Sequence, residues 1–216
     1  MRRSIRLWGF GFLALLSLVV GAYALLMYGV PSSIEDRPFA TEKVGELPNL
    51  WITVLWIHAV SSGIAILIGW VQFIKRIRIK KLHIHRMIGL IYSVMVTVGG
   101  ITGLYLAWYA SGGWIGKTGF MVLAGLWLYT LYRSLHSILV NRNAAQHGHW
   151  MIRNYALTCA AIALRIYVPL AAILFGITDT EVSFSVIAWL CWIPNLLIAE
   201  LIINKRAVQT HKVRVR

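Results

Sequence analysis

The chain is poor in charge, poorer in acids and almost without cysteine. Charged residues make up 13% of it, apolar residues 59%, and the mean hydropathy is +0.71. That balance excludes an ordinary soluble domain, because a water-facing surface has to be polar; the bilayer is the solvent. The two cysteines, Cys159 and Cys191, fall inside apolar stretches, away from the loops where an oxidising compartment would make a disulfide useful. They read as small apolar residues. There is no phosphate-binding loop, no nucleophile elbow and no His-Glu-x-x-His, so nothing supports a kinase or hydrolase reading. Strand-like alternation is also missing, which excludes a membrane β-barrel.

What is present is a series of long apolar runs. Six stretches, 7–29, 50–74, 87–110, 118–140, 150–175 and 182–203, are long enough for the roughly 20 helical residues that a hydrocarbon core requires. The expectation is an all-α polytopic membrane bundle of six spans in one domain, residues 1–216. The first run exceeds the core of a secretory signal and lacks a small-x-small cleavage pattern, so it counts as a span.

The net charge of +14 resolves once the basic residues are placed on the loops. Seventeen of the 21 Lys and Arg fall on one side, including Arg2, Arg3 and Arg6, the run from Lys75 to Arg86, Arg133, Arg142, Arg153 and the C-terminal group. Arg37, Lys43 and Lys117 fall on the other, with Glu35, Asp36, Glu42, Glu46, Asp179 and Glu181. This asymmetry puts both termini in the cytoplasm. The membrane is read as the bacterial cytoplasmic one. The charge is topogenic and suited to anionic lipid headgroups; nucleic acid is not needed to explain it. The segment from Pro31 to Asn49, with three prolines and mixed charge, reads as an outer cover or partner-binding loop.

Polar residues inside the runs are the candidates for chemistry. On the second run His58, Ser62, Ala65, Gly69 and Gln72 share one small and polar face, which must meet protein. His58 lies about 12 Å below the outer interface, and Arg165 about 15 Å inside the outer end of the fifth run. A charge at that depth marks either a site for an anionic or carbonyl-bearing ligand, such as a lipid phosphate, quinone or haem propionate, or an arginine that snorkels to Asp179 or Glu181 or bonds to helix carbonyls. Arg153 and Glu200 are each about one turn inside the inner interface, and a salt bridge tying the fifth and sixth runs is the simpler reading. Asn195 follows Pro194 in the sixth run.

Two entries look alike: Lys81-Leu82-His83-Ile84-His85-Arg86-Met87-Ile88 and Gln146-His147-Gly148-His149-Trp150-Met151-Ile152-Arg153. Each places His-x-His on a loop before a run and continues through Met-Ile. With His136 at the end of the fourth run, His85 and His149 are expected near one depth, as a metal or haem site or as three histidines facing headgroups. The repetition also suggests a duplicated two-helix unit. Gly99 and Gly103 form a GxxxG pair, and the surface leaves room for a homo-oligomer.

These residues carry two resemblances. His58 with Gly63 and Gly69, Gln72-Phe73, His85-Arg86-x-x-Gly89-x-x-Tyr92, His149-Trp150-Met151-x-Arg153, Leu164-Arg165 with Pro169, and Trp192-x-x-Asn195-x-x-x-Ala199-Glu200 resemble bacterial integral membrane proteins grouped as domain of unknown function 2306. That family implies a membrane bundle and no particular activity. More distantly, four central runs each with a histidine in or before it resemble transmembrane b-type cytochromes, which implies haem b held by His85 and His149. The fourth run lacks the outer histidine of that pattern. Three readings stay open: haem- or quinone-linked electron transfer, with His85 and His149 as ligands and His58 and Arg165 near a propionate or quinone; a small-molecule or proton-coupled transporter, with His58, Arg165 and Asn195 lining a site and Glu200 with Arg153 forming an inner gate; and a non-catalytic assembly or lipid-binding protein.

Overall fold

Long apolar runs, only two of which contain a proline, can satisfy their backbone in lipid only as helices. The computed structural model describes residues 2–29 and 47–214, with side chains for 7–29 and 47–205. Every element among the described residues is helical: α1 (Arg2–Tyr28), α2 (Leu50–Gly69), a 3-10 turn (Trp70–Phe73), α3 (Lys75–Lys80), α4 (Leu82–Trp108), α5 (Gly113–Leu139), α6 (Ala144–Thr158), α7 (Ala160–Phe175), α8 (Thr180–Leu190) and α9 (Ile193–Arg214). Residues 30–46, with Glu35, Asp36, Arg37, Glu42, Lys43 and Glu46, lie outside the described residues, so the cover-loop reading does too.

Five stretches are long and apolar enough to cross a membrane: Leu7–Tyr28, Leu50–Phe73, Leu82–Trp108, Ala144–Phe175 and Thr180–Lys205. The expected fourth span, 118–140, is α5, which has the length but carries Lys117, Tyr129, Thr130, Tyr132, Arg133, Ser134, His136 and Ser137. Its polarity keeps it out of the five. Large apolar side chains face outward along the helices; Trp8, Leu26, Ile173 and Phe175 are 74–80% exposed. A surface of this kind, on helices of this length, is that of an integral membrane protein.

The chain forms two compact units, residues 1–110 and 111–216. In the first, α2 packs against both α1 and α4. Ala14, Ser17, Val20, Gly21 and Ala24 make the buried stripe of α1, at helical spacing. A Cβ on Gly21 would sit 2.8 Å from Leu67 Cβ, and one on Gly63 would sit 2.8 Å from Ala24 Cβ. The two glycines therefore let α1 and α2 approach backbone to backbone. At the other end of α2, Trp51 and Leu55 are buried among Tyr28, Leu47, Ile52, Trp56, Tyr105, Leu106 and Tyr109.

In the second unit α5 packs against α6 and α8, α9 against α6, and α7 against α8. The turn into α5 needs glycine: Gly112 has φ 91°, and a Cβ there would lie 2.6 Å from the Phe184 backbone. Glu181 accepts from the backbone N–H groups of Gly112 and Gly113 at 2.9 and 3.1 Å, placing a carboxylate at the positive end of α5. The fifth and sixth runs are each divided. The fifth becomes α6 and α7, joined at Cys159; the sixth becomes α8 and α9, broken at Cys191 and Trp192 ahead of Pro194.

Helix starts fall earlier than hydropathy alone indicates. α4 begins at Leu82, not 87, and α6 at Ala144, not 150, where Asn143 Oδ1 accepts from Gln146 N at 3.0 Å. Both His-x-His pairs, expected on loops, therefore sit within the first turns of helices. Polar first turns project beyond the hydrocarbon layer, so apolarity underestimates their helical length.

Candidate functional site

A polar side chain in a membrane bundle bonds either to another helix or to something that is not protein. On α2, His58 Nδ1 lies 2.9 Å from the Gly99 carbonyl of α4 and 3.3 Å from Thr102 Oγ1. A carbonyl only accepts, so Nδ1 carries the proton and the ring is a strap between α2 and α4. At the other end of the pair, buried Gln72 donates through Nε2 to the His85 carbonyl at 3.2 Å, against the bare face of Gly89. His58 and Gln72 are fourteen residues apart, as are His85 and Gly99, so the two bonds express one antiparallel register. One turn from His58, Ser62 Oγ is buried with no hydrogen-bond partner.

The second unit holds a ladder that the sequence reading did not single out. Trp127 Nε1 donates to Thr158 Oγ1 at 2.9 Å, and Thr158 Oγ1 donates to the Asn154 carbonyl at 3.0 Å. Asn154 Nδ2 donates to the Trp127 carbonyl at 2.8 Å and to Thr130 Oγ1 at 2.9 Å. His147 Nδ1 lies 2.9 Å from Ser134 Oγ and 3.1 Å from the Ser134 carbonyl, which again makes it the protonated nitrogen. Asn154 and Ser134 have no exposed surface. The signal was available: Trp127, Thr130, Ser134 and Ser137 are spaced by three or four residues, and so are His147, Met151, Asn154 and Thr158. It was overlooked because these groups are neutral.

Beside this ladder is a cationic stack. Arg153 donates through Nε and NH2 to the two carboxylate oxygens of Glu200, at 2.5 and 2.7 Å. Its guanidinium carbon is 4.6 Å from the Trp150 ring centroid, and that of Arg133 is 4.7 Å from the same centroid. Arg133 NH1 also donates to Tyr129 Oη at 2.6 Å. His149 is within Coulombic range of Glu200. His136 stacks on Tyr132 at 5.8 Å between ring centroids. Tyr132, Arg133, His136, Ser137, Asn141 and Gln146 line a cavity of about 280 Å³ at the turn between α5 and α6.

The remaining candidates are held locally. Arg165 NH1 donates to the Ala161 carbonyl one turn back, at 3.0 Å. Of the two acids at the outer end, Glu181 accepts from Gly112 and Gly113, and Asp179 Oδ1 accepts from the Glu181 N–H at 2.8 Å. Asn195 Nδ2 donates to the Cys191 carbonyl at 2.9 Å, across the α8–α9 break. His58 and His85 belong to the first unit; His136, His149 and Arg165 belong to the second. Among the described residues no group of three or more His, Cys, Asp or Glu side chains is placed to hold a metal ion.

No curated protein and no solved structure matches the chain. A family model does match, over residues 55–203, a span that takes in His58, Gln72, His85, His149, Arg153, Arg165, Asn195 and Glu200. With more than half of its length so matched, the chain belongs to the family described as predicted membrane protein (DUF2306).

Proposed function

We propose that the protein is a non-catalytic, six-span membrane protein whose cytoplasmic face gathers anionic lipid headgroups. Charge accounting carries this reading. Twelve Lys and Arg have described side chains: Lys75, Arg76, Arg78, Lys80, Lys81, Arg86, Lys117, Arg133, Arg142, Arg153, Arg165 and Lys205. The described acids are three, and each has a partner inside the fold: Glu200 with Arg153, Glu181 with the start of α5, and Asp179 with the start of α8. The short helix α3, the turn after it and the start of α4 present Lys75, Arg76, Arg78, Lys80, Lys81 and Arg86 as exposed cations, with Ile79 and Leu82 exposed among them. Cations interleaved with apolar side chains at a helix junction fit an interface of anionic headgroups over acyl chains.

Two further points support it. α5 is 27 residues long, about 40 Å of helix, which is enough to cross despite its polarity. Six crossings put both termini on the side of the basic residues. The polar groups within the spans are also engaged in holding helices together: His58 to α4, Asn154 to α5, and Arg153 to α9.

The test is lipid selectivity in nanodiscs. Replacing Lys75, Arg76, Arg78, Lys80 and Lys81 with Gln should abolish enrichment of phosphatidylglycerol over phosphatidylcholine around the protein. Equal enrichment in the wild type and the variant refutes the reading. A second reading, solute transport, is favoured by one observation: the last span is interrupted at Cys191–Trp192, ahead of Pro194, as helices lining a midplane site are. Solute flux in proteoliposomes that depends on Asn195 and Arg165 would support it over the first.

A further inference from the structure

A guanidinium at a membrane interface gains most from an anion, whose oxygens match its fork of donors. Arg133 has the Tyr129 hydroxyl and the Trp150 ring, but Glu200, the acid of this stack, is engaged by Arg153 in a two-point pair. Arg133 is also a wall of the cavity at the α5–α6 turn. The other walls are His136, Gln146, Asn141, Ser137 and the ring end of Tyr132, so the cavity has amide, imidazole, hydroxyl and guanidinium groups and no carboxylate. Its volume of about 280 Å³ accommodates a small tetrahedral anion with its hydration.

The local fold keeps these donors in place. Asn143 N donates to the Ser137 carbonyl at 2.8 Å and Asn141 N to the His136 carbonyl at 3.2 Å, closing the end of α5. Asn143 Oδ1 then caps α6 through Gln146 N, leaving the Gln146 carboxamide on the cavity wall. The Trp150 ring, sharing its π surface between Arg133 and Arg153, limits where the Arg133 guanidinium can go. Neutral donors on a closed turn, around a guanidinium that meets no acid among the described residues, suit a phosphate group, whose oxygens accept several hydrogen bonds at once.

We propose that the α5–α6 turn is a phosphate-binding site in which Arg133, His136 and Gln146 hold the phosphate of a lipid headgroup or of a soluble phosphate ester. It does not rest on the basic helix α3, and each reading fails by its own variants.

Thermal stability of the full chain supplies the test in two arms. In the first, delipidated protein in detergent receives inorganic phosphate, with chloride at matched ionic strength as control. In the second, the protein is placed in phosphatidylcholine nanodiscs with and without phosphatidylglycerol. Because Arg133→Gln also removes the stack on Trp150, the deciding variants are His136→Gln and Gln146→Glu, the latter putting a carboxylate on the cavity wall. Lys117→Gln, at the opposite end of α5, is the control. The expected result is saturable stabilisation in at least one arm, with apparent affinity lowered by about tenfold or more in Gln146→Glu, the worth of one charge-assisted hydrogen bond. Lys117→Gln should leave it unchanged. Stabilisation by inorganic phosphate identifies a site open to soluble esters, and stabilisation by phosphatidylglycerol alone identifies a headgroup site. No saturable effect in either arm, or an effect that Gln146→Glu leaves intact, overturns the proposal.

Discussion

The carboxamide of Asn154 on α6 donates to the carbonyl of Trp127 on α5 at 2.8 Å, in a position with no exposed surface. The bond joins two helices that gain nothing from the hydrophobic effect alone, since lipid is as apolar as their outer faces, and so depend on packing and on bonds such as this one and those of Trp127 to Thr158 and His147 to Ser134. Asn154→Leu removes this bond and the one to Thr130, and is expected to cost about 1–2 kcal/mol. Asn154→Asp should cost more, because a carboxylate oxygen would then face the Trp127 carbonyl. Detergent-titrated unfolding measures both, and an Asp variant as stable as the Leu variant would contradict the assigned donor.

Arg153 and Glu200 are 22% and 39% exposed in their side chains, so their pair is only partly desolvated. Glu200→Gln alone should cost about 1–3 kcal/mol, below the range for a fully buried pair broken on one side. Arg153→Gln with Glu200→Gln should cost less than the two single changes added together. A double-mutant cycle on the unfolding midpoint reads that coupling; strict additivity would show that the two charges act separately.

The crossing of α1 and α2 depends on glycine. Gly63→Leu has to displace Ala24, and Gly21→Leu has to displace Leu67 and the Gly63 carbonyl, so each should lower stability by about 1–3 kcal/mol. Gly11→Leu lies on the same helix with open space where its Cβ would go and should be neutral. Thermal midpoints of the three variants provide the comparison.

The proposed six crossings with inner termini make a prediction about α5. In a background with Cys159 and Cys191 replaced by Ala, Trp114→Cys should react with a membrane-impermeant thiol reagent on intact cells. Asn141→Cys should react only after the membrane is opened. Labelling of both from one side would show that α5 does not cross.

Parts of the site were legible because charge and depth are linear along a helix. Counting residues from the interface put Arg153 and Glu200 at one level, and in the structure their side chains are within hydrogen-bond distance. The small-and-polar face of α2 and the 3-10 turn after it could be read from spacing, and it is the face from which His58 and Gln72 bond to α4. The Asn154 ladder escaped notice because a neutral amide among apolar residues barely alters hydropathy. The basic run from Lys75 to Lys80 reads as a loop because its charges mask a short helix. α5 shows the same limit in reverse: a polar stripe facing α6 lowers its mean apolarity, although that stripe is covered.

The sequence by itself determined that the chain is helical and lives in a bilayer, because continuous apolar runs leave the backbone only one way to satisfy its hydrogen bonds there. It also set the charge asymmetry, which is a sum over loops and needs no fold. Tertiary structure decided which polar groups are spent within the protein. Whether His58 faces a ligand or the Gly99 carbonyl, and whether Arg133 meets an acid or an open cavity, depends on which residue of a neighbouring helix stands opposite. That is a matter of register and rotation between helices, and neither is encoded in any one helix alone.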